Sequence, residues 1–82
     1  KVLKKDKNDN AVILDEGGEW VGIETTDSMV ISEGKRTVGL IGLTDMIVVA
    51  VDDAVLVAPK KEAQKVKKIV NQLKEEKKTD FL

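Results

Sequence analysis

The chain has 82 residues, room for one domain, and a net charge of −1. It contains neither cysteine nor histidine, which excludes disulfides, thiolate and imidazole metal sites, Ser-His triads and cysteine nucleophiles. Carboxylates, lysines, a single arginine and hydroxyls remain for chemistry, and Trp20 and Phe81 are the only aromatic side chains, too few for stacking platforms or an ordinary ligand pocket.

Residues 1–10, KVLKKDKNDN, are polar apart from Val2 and Leu3. They read as a linker arriving from something upstream, with a turn at Asn8-Asp9-Asn10. Because the chain opens at Lys1 and not at methionine, it is expected to be a piece of a longer polypeptide. Its first residues lack a signal peptide's apolar core, and no run approaches the roughly 20 apolar residues of a membrane span. A cytoplasmic protein with no membrane partner is expected.

Six short apolar bursts follow: AVIL at 11–14, WVGI at 20–23, MVI at 29–31, VGLIGL at 38–43, MIVVAV at 46–51 and AVLVA at 54–58. Clusters of Gly, Asp, Ser and Thr separate them, so the region 11–58 predicts about six strands. Two architectures fit. A small antiparallel sandwich would use the Gly-containing loops as hairpins, although no loop is Asn-Gly or Asp-Gly and Asp52-Asp53 suits a primed turn poorly. A β-helix would stack the strands as rungs around a narrow aliphatic interior, although no strict hexapeptide period is visible. MIVVAV lacks polar alternation and is expected to be covered on both faces.

Pro59 suits the first turn of a helix, and from there Ala63, Val66, Ile69, Val70 and Leu73 form one apolar stripe at three- and four-residue steps. The predicted helix spans about 59–77 and lies as a lid on the β-core. Lys60, Lys61, Lys65, Lys67, Lys68 and Lys74 fill much of its other surface. Charge is divided accordingly: residues 1–58 hold six basic and eleven acidic side chains, and residues 59–82 hold eight basic and four acidic.

No constellation supports catalysis. Asp52 and Asp53 are adjacent and would point to opposite faces of an extended segment, so a solvated turn is favoured over a metal or acid–base pair. Ser32-Glu33-Gly34-Lys35-Arg36 fails the phosphate-loop pattern, because Met29 stands where its first glycine belongs and Arg36 where it needs Ser or Thr. Gly39 and Gly42 lie inside an apolar burst without the dinucleotide pattern. The lysine-rich helix reads as a solvated face, with binding of anionic ligands or nucleic acid as the competing reading. Trp20 reads as a packing anchor, in the core or against a partner.

The stretch from Ser28 to Leu73 resembles the C-terminal region of mannose-1-phosphate guanylyltransferases, the GDP-mannose pyrophosphorylases. The resemblance rests on Ser32-Glu33-Gly34, Val38-Gly39, Ile41-Gly42-Leu43-Thr44-Asp45, the run from Asp53 to Pro59, and Ala63-Gln64-Lys65-Val66-Lys67-Lys68-Ile69-Val70. Val51, where the family often has Thr, and the looser stretch from Glu16 to Trp20 depart from it. The resemblance implies a mostly β domain: a short left-handed β-helix-like stack under one C-terminal helix, covering 11–82. It implies a parent chain that transfers GMP from GTP to mannose 1-phosphate with Mg²⁺, through residues none of which lies here. It also implies packing on an N-terminal nucleotidyltransferase domain of the same chain and a homodimer, without nucleic acid. The end at Phe81-Leu82, shortly after the helix, fits the monofunctional form. Within this chain no catalytic, cofactor or metal residue is expected. Val2, Leu3 and Trp20 are the expected partner contacts, and the stripe from Ala63 to Leu73 the helix-to-core contacts.

Overall fold

A computed structural model describes the backbone of residues 2–80, and the side chains of residues 5–73, 75 and 76. The described residues fold into seven strands: β1 (Val2–Lys5), β2 (Ala11–Leu14), β3 (Glu19–Ile23), β4 (Met29–Ser32), β5 (Thr37–Ile41), β6 (Met46–Val51) and β7 (Ala54–Pro59). A 3-10 turn at Lys60–Glu62 leads into the helix α1 (Ala63–Asp80). Each apolar burst is a strand, and Val2-Leu3 adds one more: residues 2–5 pair antiparallel with β2, where the sequence predicts a linker.

The pairing is that of a β-helix. β2, β4 and β6 run parallel, with Ala11 beside Met29 beside Ile47. β3 and β5 form a second parallel sheet, with Glu19 beside Thr37, and Thr26 bridges Thr44 on a third side. Every one of these steps advances 18 residues, the separation also seen in the Thr26–Thr44 hydroxyl contact of 3.3 Å. One coil therefore takes 18 residues. The antiparallel sandwich is excluded by these parallel ladders.

Corners of the coil need backbone that L-residues adopt reluctantly. Asp9, Asp27 and Asp45 have φ of 62°, 52° and 57°, each one coil apart. Aspartate tolerates this left-handed conformation because its short side chain can hydrogen-bond locally. The parallel sheet alternates inward and outward side chains. The inward rows are Val12–Val30–Val48 and Leu14–Ser32–Ala50, all buried. Leu40 joins this core from β5, with Trp20, Val38 and Leu43 packed against it. MIVVAV has no exposed residue, consistent with burial of both faces.

β1 and β7 close the five-stranded sheet, whose order is β1-β2-β4-β6-β7. β6 turns into β7 through Asp52-Asp53, with Val51 opposite Ala54. The two aspartates make the turn the sequence favours, and they do so as a two-residue hairpin although the pair suits a primed turn poorly, because Asp52 accepts a φ of 50°. Pro59 ends β7 opposite Met46 instead of opening the helix, and an edge strand tolerates its missing N–H.

Candidate interaction surfaces

The polar residues inside the fold are structural. Asn10, Thr25 and Ser28 are buried at one corner. The Asn10 side-chain amide donates to the Thr25 carbonyl at 2.7 Å and to the Asp6 carboxylate at 2.9 Å, and its oxygen accepts the Ser28 N–H at 2.9 Å. One coil on, the Ser28 hydroxyl accepts the Met46 N–H at 3.2 Å. These bonds satisfy backbone groups that the coil turns away from its ladders. The Asp6 carboxylate also accepts the Asn8 and Asn10 N–H groups, each at 2.9 Å. Hydrogen bonds from the Asn10 side chain and backbone hold its pKa below the ordinary carboxylate value, against a smaller opposing effect of burial.

The loops that could hold an anion are taken by the chain itself. Gly34 has a φ of 81°, and its N–H donates to the Asp15 carboxylate at 2.8 Å. Arg36 donates to the Asp52 carbonyl, and the Lys60 amine donates to the Asp27 carbonyl at 3.0 Å. Among the described residues no cluster of carboxylates could hold a metal ion.

The residues singled out by the sequence occupy different settings. Trp20 is turned into the coil, half-buried against the core, with its ring over the bare Cα of Gly22. It packs on the core, as the anchor reading of the sequence has it. Val2 and Leu3 lie in β1, in register with Leu14 and Ile13. On α1, Val66 and Val70 are half-buried while Ala63, Ile69 and Leu73 are exposed. The stripe is only partly covered within the chain, where α1 lies against β7. The lysines at 61, 65, 67 and 68 are exposed, and Lys65 pairs with Glu62 at 2.9 Å. Lys74's side chain, Phe81 and Leu82 lie outside the described residues.

Among the described residues, apolar surface is left in three places. Val21, Ile23 and Ile41 project outward from β3 and β5, with Ile41 72% exposed. Ile69 and Leu73 project from α1. The third place is β7. Val57 stands opposite Val48 and Val55 opposite Ala50, and opposed residues of an antiparallel pair share a face. Val55 and Val57 therefore extend the two inward rows past the last coil. Among the described residues no strand lies beyond β5 to cover them, and they are 67% and 55% exposed. The sequence signal for this is Ala54-Val55-Leu56-Val57-Ala58 itself, an apolar strand that has no following burst to face.

These features define a β-helix domain of little more than two coils, with an apolar end left open. Residues 18–73 match the family described as MannoseP isomerase/GMP-like beta-helix domain, and the chain belongs to that family. Mannose-1-phosphate guanylyltransferase 2 of Escherichia coli O157:H7 is 38% identical over 65 residues, 79% of this chain and 13% of that protein. A Thermus thermophilus crystal structure, described as mannose-1-phosphate geranyltransferase, superposes with a TM-score of 0.61 at 30% identity, over 85% of this chain and 20% of that one. The chain thus spans about an eighth of the Escherichia coli relative's length. No described helix is long and apolar enough to cross a membrane.

Proposed function

We propose that this chain is the non-catalytic packing and oligomerisation domain of a mannose-1-phosphate guanylyltransferase. The observation that carries the reading is a coil that buries Val12, Leu14, Val30 and Val48 with its own side chains while Val21, Ile23, Ile41, Val55, Val57, Ile69 and Leu73 stay exposed. So much exposed aliphatic surface on so small a body marks association. In the parent chain, transfer of GMP from GTP to mannose 1-phosphate, with Mg²⁺, belongs to an N-terminal nucleotidyltransferase domain in a cytoplasmic enzyme. The β-helix packs against that domain and against a second copy of itself.

Sedimentation equilibrium of the chain tests the self-association. A dimer mass that gives way to monomer on dilution is expected. Monomer at every concentration up to the solubility limit would overturn that part of the reading.

A further inference from the structure

The two edges of the five-stranded sheet are guarded differently. β1 carries Lys4 and Lys5, and charged residues are a common way of blocking unwanted strand pairing. β7 has no charged residue between Ala54 and Pro59, and β6 is its only strand neighbour among the described residues. It presents exposed Val55 and Val57 along the outer edge of that sheet.

The sequence of that edge is palindromic: Ala54-Val55-Leu56-Val57-Ala58 reads the same in both directions. An antiparallel two-fold pairing centred on Leu56 places Ala54 against Ala58, Val55 against Val57, and Leu56 against its own copy. The self-complementary stretch is confined to Ala54–Ala58, since Asp52 lies in the hairpin turn and the Lys60 amine is held by the Asp27 carbonyl. An isologous contact requires such self-complementarity, and the valines of both copies meet on one face.

We propose that β7 is the strand through which two copies of this chain pair, antiparallel about Leu56, joining two five-stranded sheets edge to edge into one. The inference rests on the self-association proposed above and assigns it to one strand and one register.

Cysteine cross-linking tests the register, since the chain has no native cysteine. Directly opposed residues of antiparallel strands lie about 4.5–5.5 Å apart at Cα, within the roughly 4.4–6.8 Å that a disulfide spans. Under mild oxidation Leu56→Cys is expected to run as a covalent dimer on a non-reducing gel. Ile41→Cys, on the other sheet, should stay monomeric on the same gel. Val57→Lys, at an exposed position that should leave the circular dichroism spectrum unchanged, is expected to shift the dissociation constant upward by roughly tenfold or more, the effect of a charge buried without a partner at an interface. If the unmodified chain is a dimer while Leu56→Cys fails to cross-link and Val57→Lys still dimerises with unchanged affinity, the β7 assignment is wrong and the association stands. If the unmodified chain is monomeric throughout, both fall.

Discussion

Two buried polar side chains of the coil have opposite standing. The Asn10 side chain bonds the Asp6 carboxylate, the Thr25 carbonyl and the Ser28 N–H, and the last two belong to buried residues. Removing one partner of a buried pair exposes the cost of the group left behind, about 1–3 kcal/mol. Asn10→Ala is expected to lower the stability of the chain by about that amount in urea unfolding. The Ser32 hydroxyl is buried with no hydrogen-bond partner. It sits between Leu14 and Ala50 in an otherwise apolar row. Ser32→Ala removes an unsatisfied group at almost no loss of volume, so its urea midpoint should equal or exceed that of the natural chain. A clear loss of stability in Ser32→Ala would show that the hydroxyl is satisfied in solution.

The loop between β1 and β2 is tied by Asp6, whose carboxylate gathers the Asn8 N–H, the Asn10 N–H and the Asn10 side chain. Its pKa is lowered on folding, so the folded state favours the ionised form. That contribution is complete above the unfolded carboxylate value of about 3.9 and is lost as pH falls through the lower folded value. The stability gap between the natural chain and Asp6→Asn should therefore be widest near neutral pH and shrink below about pH 4. Denaturation followed across the acid range checks this. At this scale the six apolar bursts are legible as strands because β-branched runs between turn clusters have no other good use. The coil itself is hidden. Its interior positions change size from rung to rung, Leu14 to Ser32 to Ala50, so no strict residue-type period survives. The trace that does survive is Thr26-Asp27 repeated at Thr44-Asp45, and Val12 at Val30 and Val48. β1 escapes the pattern because Lys4 and Lys5 mask a strand that also holds Val2 and Leu3.

The whole molecule measures 46 × 29 × 18 Å, an elongated body for its length. The 18-residue α1, about 27 Å long, adds to the length of a stack in which each coil covers the one before it and the ends stay open unless another element covers them. Here β1 and β7 fold back onto the larger sheet, while β3 and β5 have no such caps among the described residues. The sequence predicts the helix as the lid, yet Ile69 and Leu73 remain in water. The candidate surface is thus only half legible. Its residues are visible as an apolar stripe and an AVLVA run, but which of them the fold consumes depends on where the last coil ends. That in turn depends on the turn at Asp52-Asp53 closing as a two-residue hairpin, a form the pair suits poorly.

The central claim is that the chain supplies structure and association to an enzyme whose chemistry lies elsewhere. Incubating the purified 82-residue chain with GTP, Mg²⁺ and mannose 1-phosphate, and following GDP-mannose by chromatography, tests it most directly. The expected result is no product above the enzyme-free background at any chain concentration. GDP-mannose formed in proportion to the amount of chain would contradict it.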